Sequence, residues 1–260
     1  MAWVLVMQLN IFGEINEETK YDNIEIIDDI GIKVNYGDLY KLGNHYLMCG
    51  DSTIDGDVFK LLNKNNVDIL FTDPPYNVGF NGRSGDFDVI INDNLDVKQF
   101  EIFINKVINV IKKINPKSYY VWCNWKFYSI LQDKLDYKAC IVWAKNNFGM
   151  GIGYRHQHEF CLFGGYIKEA IKNETDLWYH DKDIKYLHPT QKPISLAVRA
   201  IKNSSNKNDI VLDLFGGSGS TLLACELTNR INYTMELDPK YCELIINRYY
   251  VATGKKGVKI

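Results

Sequence analysis

The fold of this chain is decided by Ile210-Val211-Leu212-Asp213-Leu214-Phe215-Gly216-Gly217-Ser218-Gly219-Ser220-Thr221. An apolar strand runs into a glycine turn, and the apolar spacing after the turn is that of a helix. Glycines at such a turn let the backbone approach a ligand closely, as in the first βα unit of a nucleotide-binding sheet. The stretch therefore predicts an α/β fold with parallel strands and a ligand site at this turn.

The following strand indicates which kind of ligand this turn binds. The apolar run 231–235 ends in Glu236, where a carboxylate is placed to accept both hydroxyls of a ribose. A phosphate-binding P-loop is excluded because Gly219 is followed by Ser220, where that motif needs lysine. The dinucleotide fingerprint fails as well, since Leu222 stands where its third small residue belongs. The predicted ligand is a nucleoside without a pyrophosphate.

A second motif, Asp73-Pro74-Pro75-Tyr76, ends the apolar run 67–72 and carries the predicted chemistry. The prolines restrict Asp73 and Pro74 to extended geometry, which fixes the directions of a carboxylate and a carbonyl. Two acceptors aimed at one point, with the Tyr76 ring beside them for stacking, suit a planar group that carries an NH2, such as a nucleobase. On this motif alone, a tight turn whose aspartate caps a neighbouring helix stays open as an alternative.

Together these motifs resemble the SAM-dependent amino-methyltransferases of DNA in which the catalytic motif precedes the cofactor motif. The resemblance runs from about Gly37 to Tyr250. Three further motifs support it: Cys49-Gly50-Asp51-Ser52, His188-Pro189-Thr190-Gln191-Lys192-Pro193 and Glu236-Leu237-Asp238-Pro239-Lys240-Tyr241. It implies a single doubly wound, mostly parallel, seven-stranded sheet of the Rossmann-like SAM-dependent methyltransferase fold, with S-adenosyl-L-methionine (SAM) as cofactor.

The implied activity is transfer of a methyl group from SAM to the N6 of an adenine flipped out of double-stranded DNA. Asp at position 73 resembles the adenine branch of the family. The alternatives are methylation of cytosine N4, methylation of RNA or a protein amide, and a DNA-binding regulator that has kept the fold and lost catalysis. The intact Asp73, Tyr76 and glycine turn count against the regulator.

The resemblance also assigns roles to individual residues. Asp51 would contact the adenine edge of SAM, Glu236 its ribose and the loop after residue 212 its methionine part, while Lys192 would pair with the methionine carboxylate. The predicted catalytic residues are Asp73, Pro74, Pro75 and Tyr76. The predicted cofactor-binding residues are Asp51, Ser52, His188, Thr190, Gln191, Lys192, Asp213, Phe215, Gly216, Gly217, Ser218, Gly219 and Glu236.

DNA contacts are harder to predict because the net charge is −2, whereas DNA-binding domains usually carry a basic excess. A local basic stripe matters more than the sum. The candidates are Arg83, in a glycine-rich stretch beside the catalytic motif that reads as a mobile lid, with Lys182 and Lys185 around the linker. No metal site is predicted, because His156 and His158 lack further ligands nearby.

Residues 1–36 form an N-terminal extension without a catalytic pattern, residues 37–250 the methyltransferase domain, and residues 251–260 a basic tail. The domain divides into a catalytic half (37–147), a short target-recognition region (148–187) and a cofactor half (188–250). Six cysteines without paired spacing, no secretory leader and no membrane span predict a reduced, cytoplasmic protein. A homodimer and a cognate restriction endonuclease are possible partners suggested by the family.

Overall fold

The computed structural model describes residues 21, 24–27, 30–79, 91–149, 153–171, 173–180 and 191–260. Within these residues the chain forms one sheet flanked by helices. The strands are β1 (Leu39–Leu42), β2 (His45–Cys49), β3 (Ile69–Thr72), β4 (Ser118–Cys123), β5 (Ala139–Ala144), β6 (His158–Gly165), β7 (Leu177–Tyr179), β8 (Ile210–Asp213), β9 (Ile231–Glu236) and β10 (Val258–Lys259). The helices are α1 (Asp55–Leu62), α2 (Val97–Ile114), α3 (Tyr128–Gln132), α4 (Ile194–Ser204), α5 (Ser220–Thr228) and α6 (Pro239–Thr253).

The strands follow the order β10-β1-β2-β9-β8-β3-β4-β6-β5-β7. The five strands from β2 to β4 in this order are parallel to one another, and β6 pairs antiparallel with both β4 and β5. The predicted α/β, Rossmann-like class is confirmed. The predicted count of seven strands is wrong, because β1, β7 and β10 lengthen the two edges of the sheet to give ten described strands. These strands are two to four residues long, and their partners lie far away in sequence or across a turn.

Helices cover both faces of the sheet, as a doubly wound fold requires. Consecutive apolar side chains of the central strands alternate between two buried clusters: Val211 and Phe71 belong to one, Leu212 and Leu70 to the other. The first cluster includes side chains of α4, α5 and α6, and the second includes side chains of α1, α2 and α3. Successive side chains of a strand point to opposite faces of the sheet. Because both faces are buried here, apolar side chains occupy consecutive positions, and the sequences of these strands are continuous apolar runs.

Two local signals in the sequence give the structure they predict. Asp96 accepts a hydrogen bond from the Gln99 backbone N–H at 2.9 Å and completes a capping box at the start of α2. Gly43, with a φ of +59°, helps to form the turn that joins β1 and β2 as a hairpin. Both features depend only on neighbouring residues, so the sequence carries them completely.

The chain ends pack against the domain where the structure describes them. The predicted basic tail includes the end of α6 and the edge strand β10, and Lys259 pairs with Asp38 at 2.7 Å. In the N-terminal extension, the Ile27 N–H donates to the Asn247 side chain at 3.1 Å, and the Val34 N–H donates to Glu243 at 3.0 Å. The described parts of the N-terminal extension and of the basic tail thus pack against the predicted domain, residues 37–250.

The ligand-binding crevice follows from the strand order. β3 and β8 are parallel neighbours, but the chain continues from β3 to β4 on one side and from β8 to β9 on the other. At such a switch point the connections leave in opposite directions, which opens a crevice at the carboxyl ends of the two strands. Asp73 follows β3 and Asp213 ends β8, so both predicted motifs meet at this crevice.

We predict that Gly165→Ala destabilises the protein by about 2–4 kcal/mol, because a strained φ and an overlap with backbone each cost on the order of 1–3 kcal/mol. Gly165 has a φ of +98°, and a Cβ there would overlap the carbonyl oxygen of Lys117. Gly56→Ala is the matched control. It lies within α1 with nothing within 4 Å of an added Cβ, so its helix should gain stability. Urea unfolding of both variants measures the two effects, and equal changes would contradict the assignment.

Candidate active site

Asp73 lies directly after the buried strand β3, and its two carboxylate oxygens have different surroundings. Oδ2 accepts a hydrogen bond from Lys192 Nζ at 2.5 Å. Oδ1 is buried and has no hydrogen-bond partner among the described residues. Since buried polar atoms are nearly always satisfied, an orphaned acceptor at the wall of a cleft marks a place where a ligand can donate.

Lys192 connects Asp73 with two further polar side chains. Its ammonium lies 2.9 Å from Glu159 Oε2 and donates to the Tyr76 hydroxyl at 3.0 Å. The Tyr76 hydroxyl in turn donates to Glu159 at 3.1 Å, and Lys145 donates to the other oxygen of Glu159. Two ammoniums and two carboxylates therefore form one connected group, which we call the ionic cluster: Asp73, Lys145, Glu159 and Lys192.

Glu159 and Lys145 were not predicted as site residues from the sequence. Glu159 lies in β6 and Lys145 follows β5, and the antiparallel pairing of Trp143 with Glu159 brings them together. Charged residues at strand ends read as solvent-facing positions when seen alone. One signal was available, namely the charged Glu159 at the start of an otherwise apolar run, 160–163.

Burial and charge act in opposite directions on the pKa values of the cluster. Burial raises the pKa of the Asp73 carboxyl, and the nearby charge of Glu159 raises it further, against the effect of Lys192. Although burial opposes it, the ammoniums of Lys192 and Lys145 lower the pKa of Glu159 to about 2. The two carboxylates outweigh burial at Lys192 and raise its pKa. Asp73 is thus the member most ready to accept a proton.

The cofactor turn after β8 is held by two carboxyl groups. The Asp213 carboxylate accepts hydrogen bonds from the Thr221 hydroxyl at 2.6 Å and from the Phe215 N–H at 3.1 Å. Glu236, at the end of β9, accepts the N–H of Gly217 at 2.8 Å. Burial raises the pKa of Asp213 and that of Glu236 to about 7 each. Each Glu236 oxygen accepts one described backbone bond and retains acceptor capacity towards the cleft.

The turn approaches neighbouring elements so closely that glycine is required. A Cβ at Gly216 would lie 2.5 Å from Thr234 Cγ2 and 2.9 Å from Ile245 Cδ1. Arg248, fully buried in α6, donates to the Ser218 carbonyl at 3.0 Å and to its hydroxyl at 3.1 Å. These contacts fix the turn against α6, and no pattern in the sequence indicates this role of Arg248.

Asp51 and Ser52 complete the cleft from the loop after β2. Asp51 accepts the Thr53 N–H at 2.8 Å, and the buried Ser52 hydroxyl donates to the Leu214 carbonyl. The second bond links this loop to the cofactor turn. The motif that contains Ser52 and the motif that begins at Glu236 therefore both contact the cofactor turn directly.

One cleft brings together most of the predicted site residues. Its lining includes Asp51, Ser52, Asp73, Pro74, Pro75, Tyr76, Gln191, Lys192, Asp213, Phe215, Gly216, Gly217, Ser218 and Glu236. Gly219, at a φ of +82°, starts α5 beside this lining. The predicted residues Arg83, Lys182, Lys185, His188 and Thr190 lie outside the described residues. Lys192, predicted to pair with a methionine carboxylate, is bonded to Asp73 and Glu159 in this structure; its role towards a ligand stays a prediction.

The described part of the chain holds neither a cluster of metal ligands nor a helix able to span a membrane. No group of three or more histidine, cysteine, aspartate or glutamate side chains there is arranged to hold a metal ion. None of the helices described combines the length and apolar character needed to cross a membrane.

Comparison with known proteins identifies the class. Residues 67–247 match the model of the N6_N4_Mtase family, described as DNA methylase. Type II methyltransferase M.HpaI of Haemophilus parainfluenzae is 28% identical over 73% of this chain and 70% of its own length. DNA adenine methyltransferase YhdJ of Escherichia coli is 29% identical over 77% of this chain and 83% of its own. The crystal structure of the M1.HpyAVI–SAM complex superposes with a TM-score of 0.55 at 28% identity, covering 76% of this chain and 96% of that one.

A parallel sheet with a glycine turn, an acidic residue after the next strand and Asp-Pro-Pro-Tyr at the switch point define an amino-methyltransferase. The chain belongs to the N6_N4_Mtase family of DNA methylases, because the family model covers more than half of it. The resemblance inferred from the sequence is confirmed. The chain is a DNA methyltransferase, and SAM is its methyl donor.

The raised pKa of Asp213 gives a testable pH dependence. Its carboxyl binds its proton more tightly in the folded state than in the unfolded state, so folding stability falls as pH rises from about 4 to about 7. Asp213→Asn cannot ionise. The free energy of unfolding of the variant relative to wild type should therefore increase over this range, on the order of 2–4 kcal/mol, since one pKa unit corresponds to about 1.4 kcal/mol. Urea unfolding at pH 5, 6 and 7 checks this, and parallel pH curves for the two proteins would refute it.

Proposed function

We propose that this protein transfers a methyl group from SAM to the exocyclic N6 amine of adenine in DNA. The observation that carries the proposal is the buried and unpartnered Oδ1 of Asp73, which lines the same cleft as the glycine turn. An exocyclic amine is a poor nucleophile because its lone pair is delocalised into the ring. A fixed acceptor that holds an amine hydrogen turns that lone pair away from the ring and stabilises the positive charge developing on nitrogen.

Adenine is favoured over cytosine for two reasons. Asp at position 73 resembles the adenine branch, and the relative YhdJ is named a DNA adenine methyltransferase. Cytosine N4 presents the same amine geometry and is the first alternative outcome of the test below. A catalytically inactive regulator is the second, and the complete arrangement of Asp73, Tyr76 and the glycine turn argues against it.

The residues of the cleft fit SAM. Asp213 and Glu236 are buried acids whose pKa values are raised to about 7, so a cationic ligand would compensate the cost of their ionisation. We propose that Glu236 holds the ribose hydroxyls, that Asp51 contacts the adenine edge and that residues 213–219 hold the methionine part. Gly216 and Gly217 line the cleft and have no side chain, so they present only backbone to the ligand.

The proposed mechanism needs no covalent intermediate on the protein. When bound, SAM supplies an electrophilic methyl group whose carbon–sulfur bond breaks as the carbon–nitrogen bond forms, with the electron pair staying on sulfur. Asp73 Oδ1 and the Pro74 carbonyl accept the two amine hydrogens and orient the lone pair. Asp73, whose pKa burial raises, then takes the proton that the nitrogen loses. The Tyr76 ring stacks on the base, and its hydroxyl is fixed by Lys192 and Glu159.

We predict that Asp73→Ala abolishes methyl transfer and leaves the affinity for SAM within a few-fold of wild type, because this carboxylate is assigned to the target amine. DNA incubated with protein and labelled SAM is digested and analysed by nucleoside mass, and calorimetry measures SAM binding. Asp136→Ala, an exposed aspartate outside the cleft, is the control.

The product identifies the reaction. N6-methyladenine with wild type and Asp136→Ala, and none with Asp73→Ala, supports the proposal. N4-methylcytosine would establish the first alternative, and no methylated nucleoside with wild type would favour the regulator. Near-full turnover by Asp73→Ala would overturn the catalytic assignment.

We propose a DNA-contacting surface beside the catalytic motif, which we call the aromatic rim: Trp125, Lys126, Phe148, Tyr154, Arg155 and His156. Trp125 is half exposed and packs on His156 with ring centroids 5.6 Å apart. Arg155 lies 4.7 Å over the Phe148 ring. Asn124, next to Trp125, donates to the Tyr76 carbonyl at 3.5 Å, which connects the rim with the catalytic motif.

The composition of the rim suits a nucleic acid. Lys126 and Arg155 can contact phosphates, and exposed aromatic faces can stack on an unpaired base or fill the gap that a flipped base leaves. Trp122 and Trp143 are buried, whereas Trp125 is half exposed and free to contact DNA. The rim also lies within or beside the predicted target-recognition region, whose DNA-binding candidates Lys182 and Lys185 remain proposals.

Arg155→Ala should weaken DNA binding and lower the magnitude of the slope of log affinity against log salt concentration by about 1, as expected for one lost phosphate contact.

Trp125→Ala should weaken DNA binding with little change in this slope. It should also lower the fluorescence of 2-aminopurine placed at the target adenine, a signal that reports base flipping. Lys207→Ala and Tyr166→Ala, exposed residues near the amino ends of β8 and β4 and therefore away from the cleft, are the matched controls. Fluorescence anisotropy at several salt concentrations measures binding; effects of the rim variants no larger than those of the controls would exclude the rim.

Three further expectations stay proposals. A homodimer, a cognate restriction endonuclease and a cytoplasmic location are inferred from the family and from the reduced cysteines. A short recognition region offers limited contact surface to DNA, and a second subunit would enlarge it.

A further inference from the structure

The ionic cluster contains two side chains, Glu159 and Lys145, whose charges have no part in the proposed mechanism. Glu159 contacts Lys192 at 2.9 Å and accepts a bond from Lys145 on its other oxygen. Lys145 and Glu159 are each less than one-fifth exposed, and Lys192 is 7% exposed. Lys192 also lies over the rings of Tyr76 and Trp122, at 5.1 and 5.2 Å from their centroids.

The balance of charge in this cluster bears directly on methyl transfer. With all four groups ionised, the charges of two carboxylates and two ammoniums cancel. The target amine becomes positive as it accepts the methyl group, and charges a few ångströms away act strongly where water is excluded. If Lys192 faced Asp73 alone, its ammonium would neutralise the carboxylate that must stabilise this positive charge.

We propose that Glu159 and Lys145 are positioning residues for methyl transfer: Glu159 shares the Lys192 ammonium with Asp73, Lys145 balances the charge of Glu159, and Asp73 keeps its negative charge for the amine. This inference rests on the proposed function. It adds two residues, from β6 and from the end of β5, to a site otherwise built from the two motifs.

The surroundings of Asp73 support this arrangement. Lys192, just before α4, donates to Asp73 and contacts both Glu159 of β6 and Tyr76 of the catalytic motif, and the charge of Glu159 also acts on Asp73. Three further titratable groups lie close enough for the charge of Asp73 to affect their pKa values. They are Asp213 at the end of β8, Cys123 at the end of β4 and Cys161 in β6. Burial raises the pKa of both thiols, so neither brings a charge. Glu159 is thus the anion that shares Lys192 with Asp73.

The test compares Glu159→Gln, Lys145→Met and the double variant in the full chain. Glu159→Gln leaves the cluster with one excess positive charge, so the single-turnover rate of methyl transfer should fall about 10- to 100-fold, the range for a lost charge-assisted interaction. The acid limb of its pH profile should move to lower pH, because removing Glu159 lowers the pKa of Asp73. Lys145→Met should move this limb to higher pH.

The double variant removes the excess positive charge of Glu159→Gln, but it leaves Lys192 facing Asp73 alone. We therefore expect it to recover part, but not all, of the rate lost in Glu159→Gln. Glu174→Gln, which removes a carboxylate paired with Arg199 away from the cleft, is the control and should leave rate and pH profile unchanged. Carboxyl NMR titration of Asp73 in the free protein gives the same pKa directions without any turnover.

The outcomes are distinguishable. Opposite shifts of the two single variants with partial recovery in the double variant support the inference. If the variants fold, as circular dichroism shows, but their losses add and the pH limbs stay in place, the two residues are structural and the inference is wrong. If Glu159→Gln does not fold, the Asp73 titration in Lys145→Met decides, and an unshifted pKa overturns the inference. Absence of methylation by wild type would instead refute the proposed function.

Discussion

The pairing of β3 with β8 is the contact on which the rest of the structure depends, because it joins a catalytic half and a cofactor half 142 residues apart. Asp68 fixes its beginning: its N–H donates to the Ile210 carbonyl at 3.0 Å, and its side chain accepts the Ile210 N–H at 2.8 Å. Thr72 closes the other end by accepting the Leu214 N–H at 3.3 Å. A polar residue at each end of an apolar strand thus sets the register that places Asp73 beside the glycine turn.

The sequence predicted most reliably what is decided between neighbouring residues. The glycine turn into α5, the capping box at Asp96 and the hairpin at Gly43 each need only a few consecutive positions. The order of strands and their number need pairings between distant segments. The two residues of β10 match β1 only because the fold brings the chain end to that edge, and no local pattern announces such a strand.

The same division holds within the site. Asp73, Glu236 and the turn between them were predictable because each residue type follows a strand at a position where its chemistry is useful. Glu159 and Lys145 were not, since their meaning arises from the antiparallel pairing of β5 with β6 and from Lys192, which belongs to a third segment. A charged side chain at a strand end is ordinary on a surface. It becomes informative only when the fold buries it next to other charges.

Stability alone does not account for this burial of charge. Removing charged groups from water costs several kcal/mol each, and well-packed apolar replacements of buried ion pairs are often equally or more stable. The ring of Trp122 lies against Lys192 and the ring of Trp143 against Lys145. Apolar side chains in place of the two lysines would pack readily against these rings. In the proposed mechanism, the cluster maintains fixed charges in a place where positive charge develops during the reaction, and charges held in advance need no reorganisation at that moment. We therefore propose that the free energy lost by burying these charges is recovered in the transition state, not in the folded ground state.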